Sequence, residues 1–259
     1  KDDHSFNQEA YSGFQKAIKS LPVSKNSKVV EAKDENNLNQ TIRSFVNGKC
    51  SIIFAVGINN ADVIKQVAPQ FPEQKFVVID TNVNKENVRS IVFKDEQGAF
   101  LMGAIAAIKT KTGSIGMIGG MNIPLIQKFE MAYTTGAKYV NPKINVLIGY
   151  VGVSVEAWNN PTKAQEIALS QFNQGADIIF HAAGGSGIGV FNAAEKANKI
   201  NAKKYAIGCD SNQNWIKPGF ILTSMTKDIE KSVIDTVKSV VENKFTTGLY
   251  TYEISNGGV

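Results

Sequence analysis

Asp177-Ile178-Ile179-Phe180-His181-Ala182-Ala183-Gly184-Gly185-Ser186-Gly187 carries a short apolar run straight into a glycine-rich turn, and Val190 to Ala197 follow with helical spacing. The run shows no polar–apolar alternation. Both its faces therefore meet protein, as in a parallel sheet covered by helices on either side. Upstream, Lys28 to Glu31, Ser51 to Val56, Phe76 to Asp80, Arg89 to Phe93 and Ser114 to Ile118 read as strands of the same kind. Asn145 to Tyr150, Tyr205 to Gly208 and Phe220 to Ser224 add three more.

Helices separate them. Phe6, Ala10, Phe14, Ala17, Ile18 and Leu21 recur at three and four, with Ser5 and Gln8 spaced as a capping box. Leu38, Ile42, Phe45 and Val46 repeat the spacing and stop at Gly48, while Ala61 to Val67 ends at Pro69. Lys163 to Phe172 and Ile229 to Val241 complete the set. Alternation of this kind defines an α/β fold with parallel sheets. Two such series in 259 residues predict two Rossmann-like lobes, since one open sheet would need about ten strands, near its limit.

Composition narrows the function. A net charge of +5 comes from scattered lysines with no arginine-rich stripe, so nucleic acid is not an expected partner. No apolar run approaches the roughly 20 residues that span a bilayer, and no leader pattern opens the chain. The two cysteines, Cys50 and Cys209, stand in or beside apolar runs and read as buried free thiols. With only His4 and His181 as histidines, no structural zinc site and no other metal or cofactor is expected.

Ligands of open α/β sheets sit beyond the carboxyl ends of the strands. Those ends are Asp80, the Ala182–Gly187 turn, Cys209-Asp210-Ser211 and Met225-Thr226-Lys227. The glycine turn is not a dinucleotide fingerprint, because Val190 or Asn192 stands where the third glycine is due. It suits a tight strand-to-helix turn with backbone close to a neutral ligand. Asp80 and Asp210 either cap the turns that follow them or accept hydrogen bonds from neighbouring hydroxyls or ring N–H groups. Ser186 lies in Gly-Ser-Gly, not G-x-S-x-G, and His181 on the same strand reads as a satisfied core residue. No catalytic residue emerges, so the chain reads as a binding protein and not an enzyme. Trp158, in a polar segment, and Phe6, in a first helical turn, either cover a core or stack on a flat ligand.

Asp2-Asp3-His4-Ser5-Phe6-Asn7 resembles the D-D-K-S-F-N signature of the basic membrane protein family, substrate-binding lipoproteins of ABC transporters. Ordered matches continue through Phe76–Asp80, Gly98–Gly103, Ile118–Leu125, Gly175–Phe180, Ala183–Gly187, Ile207–Gln213 and Leu222–Lys227. The resemblance implies a type I periplasmic-binding fold, hinged between its lobes, and a purine nucleoside of the adenosine, guanosine or inosine type as ligand. Phe6 and Trp158 would sandwich the base, with Trp158 where the family has phenylalanine. Asp80 would read the base edge, and Gly184, Asp210 and Lys227 would hold the ribose, with Asn7 a further contact beside Phe6. Family members place a strand ending in aspartate before the signature, so a further base-binding carboxylate is expected outside this sequence. An ABC permease is the implied partner, a lipid anchor on the extracytoplasmic side of the cell membrane the implied location, and a monomer the implied state. On this reading residues 1–108 and 228–246 form lobe I, residues 109–227 and 247–259 form lobe II, and the crossings fall near Lys109–Gly113, Lys227 and Thr247. The alternatives are a sugar- or effector-binding protein of the same fold, a surface adhesin and a nucleoside-processing enzyme.

Overall fold

The computed structural model describes residues 2–32, 34–198 and 203–259. In chain order, α1 (Phe6–Ser20) and α2 (Glu35–Asn47) lead to β1 (Ile53–Val56), α3 (Ala61–Val67), β2 (Phe76–Ile79), β3 (Val88–Phe93) and α4 (Asp95–Lys109). The middle of the chain forms β4 (Ser114–Met121), α5 (Pro124–Val140), β5 (Asn145–Gly152), α6 (Pro161–Asn173), β6 (Ile178–Ala182), α7 (Gly187–Asn198), β7 (Tyr205–Gly208) and β8 (Ile221–Ser224). Then come α8 (Ile229–Val241) and β9 (Gly248–Tyr252).

The strands form two separate sheets, in the orders β1-β2-β3-β9 and β5-β4-β6-β7-β8. Every pairing is parallel. β2 and β6 are buried along their full length, which fits sequences that are apolar but for His181. α1 packs along α8 over the first sheet, where Ala10, Val77, Ile79, Ile91, Phe93, Ile229 and Val233 share one core. Fold class and the two-sheet division therefore match the sequence reading.

Three local readings change. Lys28–Glu31 is not a strand: the segment belongs to neither sheet, and Val29 and Val30 stay 46% and 48% exposed. Cys50 is exposed, whereas Cys209 is a buried thiol as expected. The Ser5/Gln8 capping box does not form. Instead both oxygens of the Asp3 carboxylate take the free amides of the first turn, from Ser5, Asn7 and Gln8, each at 3.0 Å.

The joins between the sheets also fall elsewhere. α4 packs on α5 and contributes Ala99, Met102 and Ala106 to the core of the second sheet, so the chain crosses at Lys94–Asp95 and not near Lys109. β9 pairs with β3, which places residues 248–252 in the first sheet and not with the second lobe. The two crossings, at Lys94–Asp95 and between β8 and α8, both lie against the segment that follows β9. Lys94 N–H donates to the Tyr252 carbonyl at 2.8 Å, and Asp228 N–H to the Gly258 carbonyl at 2.9 Å.

α4 and α5 touch backbone to backbone. A Cβ on Gly103 would stand 1.9 Å from the Tyr133 carbonyl oxygen, and one on Gly136 would stand 1.9 Å from that of Phe100. Only glycine permits this reciprocal approach.

Candidate functional site

Asp80 and Asp210 occupy matching positions, one residue past β2 and two past β7. Both adopt the left-handed backbone conformation, with φ of 70° and 69°. Aspartate tolerates that region better than most residues. Beyond these turns Asp80 meets Lys227, which follows β8 of the second sheet, and Asp210 meets Ser5, which precedes α1. Lys227, just beyond β8, lies between them. Its backbone N–H donates to the Asp210 carbonyl at 2.8 Å, and its Nζ donates to both Asp80 carboxylate oxygens at 2.8 Å. Asp95, the first residue of α4, approaches the same Nζ from another side at 3.1 Å.

The cluster is almost dry. The Lys227 side chain is 1% exposed, that of Asp95 2% and that of Asp80 10%. Burial opposes the lysine charge, but the carboxylates of Asp80, Asp95 and Asp210 outweigh it and hold the ammonium above its usual range. Burial pushes the Asp95 carboxyl up to about 8 despite the nearby cation. Asp210 is also raised by burial, with Lys227 and the Ser5 hydroxyl pulling the other way.

Two aromatic faces complete the setting of Lys227. Nζ stands 5.3 Å from the Phe6 ring centroid and 4.8 Å from that of Phe93. Phe6 packs with the core of the first sheet. Trp158 belongs to the other half, where its ring covers Gly120 so closely that a Cβ there would sit 2.5 Å from two ring carbons. A Cβ on Gly184, at φ 55°, would lie 3.7 Å from the same ring, so the glycine turn after β6 and the tryptophan form one wall.

The segment Asp3–Phe6 joins the two groups. Ser5 Oγ, freed from capping, donates to Asp210 Oδ2 at 2.5 Å. The His4 carbonyl accepts from Ser211 Oγ at 3.0 Å and Gln213 Nε2 at 2.8 Å. Asp3 Cβ comes within 3.6 Å of where a Cβ on Gly185 would stand. Of the expected site residues, Phe6, Asp80, Asp210 and Lys227 are thus brought together, with Trp158 and Gly184 as a second group. Asn7 stands apart: it is exposed and its side chain amide donates to Asp3 at 2.8 Å.

Three residues absent from the expected set support the site. Asp95 backs Lys227, Ser5 holds Asp210, and Gln213 organises the β7 tip. The Gln213 side chain oxygen accepts from Cys209 N–H at 2.8 Å and faces His181 Nε2 at 3.0 Å, so Nε2 carries the imidazole proton. Burial pushes His181 down to about 4, with the Gln213 contact opposing. His181 is a neutral core residue, as its place in an apolar run implies. Asp95 and Lys227 carry no local signal of their pairing, since their contact is purely tertiary.

This arrangement is built to bind. It presents carboxylate acceptors, one fixed ammonium and two flat rings.

Comparison with known proteins agrees. The family model describing an ABC transporter substrate-binding protein, PnrA-like, matches residues 1–259. A CD4+ T-cell-stimulating antigen of Listeria monocytogenes is 34% identical over 249 residues, covering 92% of this chain and 67% of that one. The ABC transporter nucleoside-binding protein BmpA of Lactococcus lactis is 32% identical over 274 residues, covering 100% of this chain and 77% of its own length. A solved ABC transporter solute-binding protein from Aeropyrum pernix superposes with a TM-score of 0.90 at 29% identity, over 100% of this chain and 72% of that one. The chain belongs to the Bmp family of PnrA-like ABC transporter substrate-binding proteins, and so to binding proteins and not to enzymes.

Proposed function

We propose that the chain binds a purine nucleoside between its two sheets and delivers it to an ABC permease for import. The observation that carries this reading is the cluster of strand-end Asp80 and Asp210 with Lys227, set against the Phe6 ring; on this reading the Trp158–Gly184 wall is the facing surface. A nucleoside offers what those groups seek: a flat base for the rings, N–H donors for Asp80, and vicinal hydroxyls for Asp210 and Lys227. The Lactococcus relative, named as nucleoside-binding, lends the class. Phe6 and Trp158 act as the base clamp, Gly184 gives backbone access to the sugar, and Asn7 serves at the rim. Binding closes the lobes about the two crossings, and the closed face is what the permease reads. The protein works as a monomer, tethered by lipid outside the cytoplasmic membrane. Among the described residues no helix is long and apolar enough to cross a membrane.

Native mass spectrometry of the purified protein tests the ligand class by the mass of any retained guest. Calorimetry with guanosine, inosine and adenosine, set against free ribose and galactose, then separates nucleoside from sugar. Binding of a sugar with no response to any nucleoside would overturn the reading.

A further inference from the structure

From Gln97 to Val155 the chain carries one acidic residue, Glu130, against five lysines. Glu130 is itself engaged: it is partly buried and accepts from the Tyr150 hydroxyl at 2.5 Å. The lysines, Lys109, Lys111, Lys128, Lys138 and Lys143, are all exposed. Apolar exposure concentrates in the same place. Of the fourteen large hydrophobic residues exposed among those described, eight fall in this stretch, which is under a quarter of the chain. An ordinary solvated surface looks different, with apolar residues scattered singly and charges of both signs interspersed.

The fold gathers these residues on one flank. α4 and α5 cover the same side of the second sheet, where Ala99, Met102 and Ala106 of one helix share a core with Phe129, Tyr133 and Ala137 of the other. Leu101 and Ile108 lie seven residues apart on α4, as do Met131 and Lys138 on α5. At about 100° per residue each pair falls on one stripe, opposite its helix's core residues. Ile108, Met131 and Tyr139 are 64%, 68% and 80% exposed. The rings of Phe100 and Tyr139, 5.9 Å apart, link the two helices across this face. The loops that lead into β4 and β5 run side by side, with Asn145 N–H donating to the Gly113 carbonyl at 3.0 Å, and bring Lys111 and Lys143 to one edge. Asp177, at the same edge, is buried, and its carboxylate is taken up by the Thr110 hydroxyl and the Lys111 and Thr112 N–H groups.

We propose that this flank docks on the surface of an anionic phospholipid bilayer. Lysine stems lay their carbons along the apolar stripes and hold their ammonium heads out to lipid phosphates. Leu101, Ile108 and Met131 supply the apolar tips that enter the headgroup boundary, and Tyr139 is a ring with a polar end suited to that level. A second copy of the chain is a poorer occupant, because a two-fold contact on this face would set five lysines against five. Phe6, Asp80, Asp210 and Lys227 lie outside the flank. Docking of this kind depends neither on what the cleft binds nor on a lipid anchor.

The test is co-sedimentation of the 259-residue chain with vesicles of phosphatidylcholine alone or of phosphatidylcholine mixed with phosphatidylglycerol. The chain should bind the anionic vesicles, leave the neutral ones, and come off as salt rises. Lys138→Gln with Lys143→Gln should weaken binding more than tenfold at low salt, at about fivefold per lysine. Ile108→Ser with Tyr139→Ser should weaken it several-fold while keeping the salt dependence. A charge-matched control, Lys25→Gln with Lys28→Gln in the exposed segment between α1 and α2, should bind like the parent. All six positions are exposed, and thermal melts check that each variant is folded. A chain that stays in the supernatant with anionic vesicles at low salt overturns the proposal. So does a control that loses as much as the Lys138 and Lys143 pair, since net charge alone would then explain the attraction. A dimer in sedimentation velocity that Tyr139→Ser dissolves would give the face to a second copy and overturn it as well.

Discussion

Replacing Lys227 with methionine removes one charge and little else. The stem keeps its length and its contacts with the rings of Phe6 and Phe93. What disappears is the cation bonded to both Asp80 oxygens at 2.8 Å and lying 3.1 Å from Asp95, in a cluster no more than 10% exposed. Breaking a buried pair by removing one partner costs about 3–5 kcal/mol. For a chain of this size that is on the order of 10 °C in Tm. The carboxylates left behind limit the loss by taking up protons. Their folded pKa values rise above the unfolded ones, so the stability they allow is present at low pH and lost as pH climbs through the folded values. Asp95 already titrates at about 8 with the cation present and moves further up without it. The deficit should therefore be small near pH 5 and grow toward pH 8, by up to about 1.4 kcal/mol per pH unit for each carboxyl held neutral. Urea unfolding of ligand-free parent and variant, followed by circular dichroism at several pH values, measures this. A variant within about 0.5 kcal/mol of the parent near pH 8, the range of an ordinary surface change, would refute the account. So would a deficit that does not vary with pH.

Other substitutions follow from the same geometry. Trp158→Ala and Asp210→Ala should each weaken nucleoside affinity more than tenfold, about 1.4 kcal/mol or more, with Trp158→Phe retaining most of it; calorimetry reads both. Gly136→Ala drives a methyl to 1.9 Å from the Phe100 carbonyl oxygen and should destabilise by about 1–3 kcal/mol through forced separation of α4 and α5. A thermal melt unchanged by that methyl would contradict the close crossing. A maleimide should label Cys50 at once in the folded protein and Cys209 only after denaturant is added, as mass spectrometry of the adducts would record.

The strand–helix alternation was legible because strands such as β2 are apolar throughout and helices such as α8 carry a clean stripe. Ile229–Val241 is read from sequence with the bounds the structure has. α4 escaped because its pattern is inverted: Gly98 and Gly103 are buried, while Leu101 and Ile108 are 46% and 64% exposed. Periodicity assigns apolar residues to the inside, and here close backbone contact puts glycine there instead. β9 escaped because its five residues gain strand character from β3, far away in sequence. At the site, Asp80, Asp210 and Lys227 could be found from their place at strand ends. Ser5 was visible but misassigned, since Asp3 does the capping its spacing suggested. Asp95 offered nothing to read, being one acid among several in a helical first turn until the fold sets it against Lys227.

The left-handed turns at residues 80 and 210 also bear on what the proposed site would refuse. They aim two carboxylates at a space holding a single ammonium, so the locality remains negative even with Asp95 protonated. A phosphate about 5 Å from one of those oxygens meets repulsion of roughly 3 kcal/mol at an effective dielectric constant near 20. On the proposed nucleoside reading, base and sugar would gain entry, and the same molecule carrying a phosphate tail would be turned away by charge alone.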